Sequence, residues 1–254
     1  MDEVSQKNKK AWEYRAYEFW NMNYGSPKEK AAEITQNPKA CLRYHQKYFE
    51  EVKGLNIANV CGSNGRIAVP LAVLGANITV FDISEENKRY ALELADCAGV
   101  SINYEIGDFN NVDFNRYGSV FDIAYLEGGI LHYFHDIDLF FQGLYDIIKP
   151  GGKLILSDFH PFRKIVAIGQ VGKNAQVTDG DYFDSRVFNG DVAYKSYFPQ
   201  DEQQLFPDCS LRFYTLSEIF NAVIKTGFNI REFNEHPNWE NKKIPGEFTI
   251  IGLK

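Results

Sequence analysis

Two glycines and one acid stand where a nucleotide-binding unit would need them. Gly62 and Gly65 follow one apolar strand pattern, and Asp82 ends a second, Ile78 to Phe81. Glycines let the backbone turn tightly and approach a ligand, and the helix predicted to begin near Arg66 starts with unpaired amides. A carboxylate at the next strand end can accept both hydroxyls of a ribose. The segment predicts a nucleoside-binding βαβ unit; the alternative is a small-residue turn with a helix-capping Asp.

The details of the turn separate two nucleoside classes. A dinucleotide fingerprint has a third glycine three residues after the second, and Ala68 stands there, which disfavours a nicotinamide-dependent oxidoreductase. The turn instead resembles the first motif of class I S-adenosylmethionine-dependent methyltransferases, an acid followed by three alternating glycines. Asn59, Cys61, Ser63 and Gly65 occupy those places. Three of the four differ from the usual residues, although Cys and Ser are small enough for a similar turn.

The resemblance covers most of the chain. Tyr104 to Phe109 is similar to the family's strand-end segment that meets adenine, Phe121 to Tyr133 to its fourth strand and active-site rim, and Leu144 to Phe159 to its fifth strand with the preceding helix and turn. Two strand patterns, at 228–236 and 247–254, predict a final hairpin and hence one antiparallel strand. The implied fold is α/β and Rossmann-like, with six parallel strands, one antiparallel strand and helices on both faces.

This resemblance also implies a cofactor, S-adenosyl-L-methionine, and the residues that bind it. They are Asn59, Cys61, Gly62, Ser63, Asn64, Gly65, Asp82, Ile83, Asp108, Phe109, Glu127 and Gly128. Asp108 is expected at the adenine amine. Alternatives stay open, because Gly107-Asp108 can be an ordinary turn and Glu127-Gly128-Gly129 a tight connection between strand and helix.

Residues 1–52 are predicted to be helical and to form an N-terminal lid over the cofactor. Trp12, Ala16, Phe19 and Trp20 fall on one helical face. Ser26 to Glu29 has the form of a capping box, so a second helix should start there, and a third should run from 38 to 52. By resemblance, Tyr14, Arg15 and Trp20 face the cofactor's carboxylate and sulfonium. The alternative is that the aromatic stripe is simply core.

The remaining 53–254 are assigned to the cofactor-binding domain, with an insertion at about 163–213 that would roof the substrate. Asn189-Gly190 predicts a two-residue hairpin between strands at 182–188 and 191–198. Acidic and aromatic residues are interleaved there, which suits an amine acceptor. Candidate substrate contacts are Tyr182, Tyr194 and Tyr197, with Asp184 and Asp191 as charge partners. The alternative is a solvated hairpin with its aromatic side packed on the core.

The implied reaction is in-line transfer of a methyl group to a small-molecule acceptor. His132 and His160 each lie just beyond a predicted strand end, where either could act as a general base. A histidine in such a position is as often a loop hydrogen-bonder. His45 and His135 are interpreted as structural, and no metal is expected. A non-catalytic module that binds the cofactor or S-adenosylhomocysteine is the main alternative function.

Composition agrees with a compact cytoplasmic protein. The chain has 254 residues, 44% of them hydrophobic, enough for one large domain. A formal net charge of −7 argues against a protein that tracks nucleic-acid phosphates. The four cysteines show no metal-ligand spacing and fit a reducing compartment. No apolar run suggests a signal core or a membrane span, and the oligomeric state is not encoded in any recognisable pattern.

Overall fold

A computed structural model describes residues 1–165 and 180–254 of the chain. Two charged residues of the predicted roof, Lys173 and Asp179, lie outside the described residues. The strands are β1 (Asn56–Val60), β2 (Asn77–Asp82), β3 (Asn103–Ile106), β4 (Phe121–Glu127), β5 (Ile148–Phe159), β6 (Val187–Gly190), β7 (Cys209–Arg212), β8 (Asn229–Pro237) and β9 (Pro245–Leu253).

Seven of these strands form one sheet in the order β3-β2-β1-β4-β5-β9-β8. Strands β1 to β5 pair in parallel, β9 is antiparallel to β5, and β8 is antiparallel to β9. Strand β8 therefore runs with β5, and β9 alone is reversed. This confirms the predicted arrangement of six parallel strands and one antiparallel strand, including the terminal hairpin.

Helices cover both faces of the sheet. They are α1 (Glu3–Glu13), α2 (Ala16–Tyr24), α3 (Pro27–Gln36), α4 (Pro38–Cys41), α5 (Ala68–Val73), α6 (Glu85–Cys97), α7 (Phe114–Tyr117), α8 (Ile137–Ile147) and α9 (Leu216–Thr226). Helices α8 and α9 bury the larger apolar cluster on one face, while α5 packs on the other. The carboxyl ends of β1, β2, β4 and β5 consequently meet at one edge, where parallel sheets bind ligands. No helix of the described residues is long and apolar enough to cross a bilayer.

The N-terminal helices agree with the sequence in part. The capping box is present, with Ser26 and Glu29 bonded reciprocally at the start of α3. The predicted helix from 38 to 52 is wrong, because α4 ends at Cys41 and a 3-10 helix, Arg43–Tyr48, follows. Arg43 has a φ of 51°, which interrupts the ladder of helical hydrogen bonds. Burial of Leu42 and Phe49 against the sheet stabilises this break.

The insertion contains a two-stranded sheet, but its turn is not where the sequence placed it. Strand β6 pairs antiparallel with β7, so Asn189 and Gly190 lie opposite Ser210 and Cys209 instead of forming a tight turn. The predicted second strand, 191–198, is turn and 3-10 helix. Its apolar side chains instead join those of α1 and α2 in one cluster, called here the cover cluster: Ala11, Ala16, Phe19, Val192, Tyr194, Phe198, Phe206, Cys209 and Leu211.

Candidate functional site

The turn after β1 has a backbone that usually requires glycine, although two of its positions carry other residues. Cys61 has a φ of 52°, Ser63 one of 49° and Gly65 one of 78°. In the left-handed region a side chain costs about 1 kcal/mol, so two residues of this turn are strained. At Gly62 an added Cβ would lie 2.5 Å from the Asn59 Oδ1 atom, so only glycine fits this close approach. The turn has the shape that the sequence predicted despite its substituted residues.

Asp82 holds this turn against the end of β2. Its carboxylate is buried and accepts hydrogen bonds from Ser63 N at 3.0 Å, Ser84 N at 3.0 Å and Asn87 Nδ2 at 3.2 Å. Burial raises the pKa of Asp82, although these donors counteract it. The backbone N–H of Ile83 also contributes to stabilising this carboxylate.

Several buried polar atoms around the turn have no hydrogen-bond partner among the described residues. They are Asn59 Oδ1, Ser63 Oγ and Asn64 Nδ2, together with Asn110 Oδ1 near the end of β3. Buried polar atoms in folded proteins are normally paired, and each exception needs an explanation. A polar ligand lying over the turn and along the strand ends would supply the missing partners, so the residues present fit a nucleoside with a charged amino-acid tail.

Both candidate residues at the end of β3 are buried, Asp108 in a polar network and Phe109 in the apolar core. The Asp108 carboxylate accepts from Asn110 N at 3.0 Å, from Asn111 Nδ2 at 2.9 Å and from Ser5 Oγ at 2.7 Å. Phe109 turns the other way, and its ring packs 5.7 Å from that of Phe81 in the main core. A cavity of 230 Å³ opens beside the Asp108 segment. Asp108 and Phe109 both line this cavity, and the Phe109 ring also packs in the core.

The first two helices lie directly along this edge. Lys9 Nζ donates to the Ile83 carbonyl at 2.9 Å, and Ser84 Oγ donates to the Trp12 carbonyl at 2.9 Å. Trp20 Nε1 donates at 2.8 Å to Asn87, the residue that also bonds Asp82. The N-terminal helices thus contact the strand ends through Ser5, Lys9 and Trp20. Sequence reasoning singled out Trp20 alone of these three.

Tyr14 and Arg15, the other two lid residues predicted to face the cofactor, point into the cover cluster. The Tyr14 ring lies 4.8 Å from that of Phe206. Arg15 pairs with Glu18 at 2.5 Å and with Glu202. Both side chains already have partners, so they hold the N-terminal helices to the insertion.

Glu127 is the centre of a buried polar network at the end of β4. It pairs with Arg66 Nη2 at 2.8 Å, with His45 Nδ1 at 3.3 Å and with the Tyr125 hydroxyl. Burial alone would raise the pKa of Glu127, but the hydrogen bond from His45 and the charge of Arg66 lower it to about 2. The strand therefore ends in a permanent negative charge. Gly128 follows with a φ of 87°, and a Cβ there would lie 3.4 Å from Arg66 Nη2.

Asp158, at the end of β5, is a positioning residue that sequence reasoning missed. Its buried carboxylate accepts from Ile130 N at 3.0 Å, Leu131 N at 2.8 Å and Phe159 N at 2.6 Å. These bonds fix the loop that carries His132. The only signal in the sequence was an acid at the end of an apolar strand, which did not distinguish it from a capping residue.

The two candidate general bases have different surroundings. Burial, together with the charge of Arg163, lowers the pKa of His132 to about 4, so its ring is neutral near pH 7. It has no hydrogen-bond or carboxylate partner in the described part of the chain, and it lies beside the rings of Tyr133 and Phe213. His160 accepts from Phe162 N at 3.1 Å, and its Nε2 lies 3.1 Å from Glu235. His132 thus has no polar partner in the described residues, whereas His160 Nδ1 accepts from Phe162 N and its Nε2 lies within ion-pair distance of Glu235.

The three candidate substrate tyrosines do not converge on one place. Tyr194 is buried in the cover cluster and its hydroxyl donates to the carbonyl groups of Ala11 and Tyr14. The Tyr182 hydroxyl accepts from Leu216 N at 3.0 Å. Tyr197 is 60% exposed. The two candidate charge partners already form ion pairs, Asp184 with Arg186 and Asp191 with Lys195.

Residues 59–156 match the sequence family described as "Methyltransferase domain". Two similar curated proteins carry the name ubiquinone biosynthesis O-methyltransferase. The one from Rickettsia canadensis is 29% identical over 48% of this chain and 50% of its own length, and the one from Chelativorans is 27% identical over 62% and 63%. The chain thus spans about half to just under two thirds of these relatives.

Solved structures extend the similarity of fold to almost the whole chain. A magnesium protoporphyrin IX methyltransferase from Synechocystis, solved with bound S-adenosylhomocysteine, has a TM-score of 0.62 at 14% identity and covers 99% of this chain and 100% of its own. A structure described as a S-adenosylmethionine-dependent methyltransferase from Listeria monocytogenes has a TM-score of 0.64 at 17% identity, covering 84% and 97%. Residues 59–156 thus match a methyltransferase domain. The strand order and the fold of the described residues agree with those of the solved S-adenosylmethionine-dependent methyltransferases.

Proposed function

We propose that this protein binds S-adenosylmethionine and transfers its methyl group to a hydroxyl of a small-molecule acceptor. The observation that carries the proposal is the turn at 61–65, where two non-glycine residues hold left-handed conformations beside unpaired buried polar atoms. Strain of this kind persists where the surrounding structure enforces it, which is common at ligand sites. The O-methyltransferase names of the curated relatives support a hydroxyl acceptor.

Each part of the proposed site has a distinct task. Asp82 would accept a ribose hydroxyl and Asp108 the adenine amine, while the unpaired atoms of Asn59 and Ser63 lie where a polar tail would meet the turn. When bound, the cofactor supplies a methyl group on a cationic sulfur. The sulfur is the leaving group and keeps the electron pair of the broken S–C bond. His132, neutral near pH 7, is the proposed acceptor of the hydroxyl proton.

The remaining contribution is exclusion of water. Residues 1–52 form the proposed lid, and the cover cluster joins its first two helices to the insertion. Closing the site in this way favours alignment of the acceptor and keeps out competing nucleophiles. The proposed location is the cytoplasm, since all four cysteines are free thiols. An amine acceptor stays a prediction, which the existing ion pairs of Asp184 and Asp191 do not favour.

Calorimetry with S-adenosylhomocysteine and with NAD tests the cofactor, and we expect binding of the first alone. An acceptor panel of catechols, phenols, amines, thiols and carboxylates, followed by release of S-adenosylhomocysteine, tests the reaction. A solved structure of the same fold described as a [4+2]-cyclase, with a TM-score of 0.56, shows why turnover must be measured. Tight binding without turnover of any acceptor would favour a non-catalytic cofactor-binding module.

A further inference from the structure

Beyond the cofactor site, an arginine just after the carboxyl end of β5 has no ion-pair partner among the described residues. Arg163 is half-buried and belongs to the 3-10 helix Pro161–Ile165 that follows β5. Three other half-buried arginines, Arg15, Arg66 and Arg212, each pair with a glutamate. In the two described ranges no carboxylate lies within ion-pair distance of Arg163. A guanidinium withdrawn from water without a counter-charge is unusual and needs an explanation.

Two aromatic rings fix the orientation of this guanidinium. Its central carbon lies 4.0 Å from the centre of the Phe159 ring and 5.1 Å from that of Trp239. Strand β8 runs parallel to β5, so the loop with Trp239 emerges at the same edge of the sheet. Stacking occupies the flat faces of an arginine but leaves its in-plane N–H donors free, and these match the two oxygens of a carboxylate or phosphate.

Three carboxylates, Glu247, Asp158 and Glu240, act on Arg163 through their charge, but none forms an ion pair with it in the described residues. Asp158 accepts three backbone N–H groups, and Glu247 accepts from the Tyr44 hydroxyl at 2.8 Å. Glu240 is exposed on the loop of Trp239. These charges help to keep the guanidinium protonated in its half-buried position without neutralising it by contact. The in-plane N–H groups of Arg163 are therefore available to an anion from outside the described residues.

The arginine also adjoins the proposed reacting centre. The charge of Arg163 acts on His132, which follows the loop held by Asp158. The Phe159 ring presses on this loop, because a Cβ at Gly129 would lie 2.5 Å from it. One small molecule could thus present a hydroxyl to His132 and an anionic group to Arg163.

Resting on the proposed function, we propose that Arg163, stacked on Phe159 and Trp239, is an anion-binding subsite that selects acceptors carrying a carboxylate or a phosphate beside the methylated hydroxyl. Trp239 is 55% exposed and offers an aromatic surface for the acceptor's apolar body. A positively charged subsite attracts an anionic acceptor and would repel a protonated amine.

The test compares matched ligands on the protein saturated with S-adenosylhomocysteine. Two anionic probes, 3,4-dihydroxybenzoate and hydroxyphenyl phosphate, are each compared with neutral catechol. Binding is measured by calorimetry, and turnover is measured with S-adenosylmethionine. We expect an anion to be favoured at least 10-fold in affinity or in kcat/KM. The two anionic probes distinguish carboxylate from phosphate. The subsite is overturned if both anions bind no more tightly than catechol, or if no probe binds. Failure to bind S-adenosylhomocysteine overturns the proposed function itself.

Variants distinguish the contribution of the Arg163 charge from that of the aromatic stacking. Arg163→Gln should abolish the preference for the anion while leaving catechol and S-adenosylhomocysteine unaffected, and Arg163→Lys should restore it in part. Trp239→Leu should weaken anionic and neutral probes alike. Arg89→Gln is the matched control, because Arg89 also stacks on a ring, that of Tyr17, but pairs with Glu93. An anion preference retained in Arg163→Gln, or lost equally in the control, contradicts the assignment.

Discussion

The two halves of the sheet edge differ in the kind of polar group that is left without a partner among the described residues. In the half made by β1, β2 and β3, Asp82 and Asp108 each accept three hydrogen bonds within the chain. In the half made by β4 and β5, His132 and Arg163 have no polar side-chain partner among the described residues, although Asp158 holds the loop between them. In the first half the bonded carboxylates hold the strand ends, and the unpaired atoms are neutral ones, on Asn59, Ser63, Asn64 and Asn110. In the second half the unpaired groups are an imidazole and a guanidinium, which are open to an acceptor.

The difference indicates how one protein combines a fixed cofactor with a variable acceptor. Carboxylates that are bonded to backbone amides keep their orientation whether or not a ligand is present, so little ordering is needed on binding. A stacked arginine without a partner has donors ready but also carries a desolvation penalty until an anion arrives. The cofactor half is thus preorganised by pairing, and the acceptor half by packing.

Removing the Asp82 carboxylate should have the largest effect. Asp82→Ala leaves the N–H groups of Ser63 and Ser84 without their acceptor, so we expect a loss of about 2 to 4 kcal/mol in the free energy of unfolding. Affinity for S-adenosylhomocysteine should fall by about 1 to 3 kcal/mol. Calorimetry and denaturant unfolding measure both, with Asp136→Ala at the exposed N-cap of α8 as control. Unchanged affinity would falsify the ribose role.

Replacing Asp158 should separate binding from turnover. Asp158→Asn keeps the volume but turns an amide donor toward N–H groups, so the loop before His132 loses its anchor and the free energy of unfolding falls by about 2 kcal/mol. We expect turnover to fall more than 10-fold with the affinity for S-adenosylhomocysteine nearly unchanged. Asp122→Asn, at the opposite edge of the sheet, is the control. Loss of cofactor binding in Asp158→Asn would show that the two halves are not independent.

The depressed pKa of His132 should be visible in acid. A folded pKa of about 4, against 6.5 for the unfolded chain, means that the unfolded state binds more protons between these values. The contribution is complete above pH 6.5 and is lost as the pH falls toward 4, by up to about 3 kcal/mol. His132→Asn should therefore flatten the decrease of stability between pH 7 and 5 in thermal unfolding. A parallel decrease in parent and variant would contradict a half-buried ring that stays neutral.

The smallest effect is expected at Ser63. Ser63→Gly relieves the left-handed strain and removes a buried unpaired hydroxyl, partly offset by the entropy of glycine, so the unliganded protein should gain about 0.5 to 1 kcal/mol. Ser63→Ala keeps the strain and isolates the hydroxyl. If this hydroxyl binds the cofactor, both variants should bind S-adenosylhomocysteine several-fold more weakly. A loss of stability in Ser63→Gly would show that the side chain supports the turn.

The sequence predicts the sheet well because its signals are local. The final hairpin follows from apolar strand patterns and the capping box at Ser26 from helix-start residues, while the arrangement of the other strands was implied by the family resemblance. The predicted helix from 38 to 52 and the turn at Asn189-Gly190 are wrong because distant packing overrides local preference. Leu42 is drawn onto the sheet, and Tyr194 onto the N-terminal helices.

The candidate site shows the same division. The turn at 61–65 and Asp82 are recognisable from spacing, since their neighbours in space are also near in sequence. Arg163 and Trp239 give no such signal, because they meet only when the loop after β5 lies against the loop between β8 and β9. The contact of Ser5 with Asp108 joins residues 103 positions apart and was equally invisible.

The hydrogen bond from Tyr194 to Ala11 spans 183 residues. A ribosome releases this chain from its N-terminus, so the first two helices emerge long before the segment that completes the cover cluster. The strand-end turn and Asp82 can associate meanwhile through contacts nearby in sequence. We therefore expect that the strand-end turn and Asp82 can form before the insertion joins the first two helices.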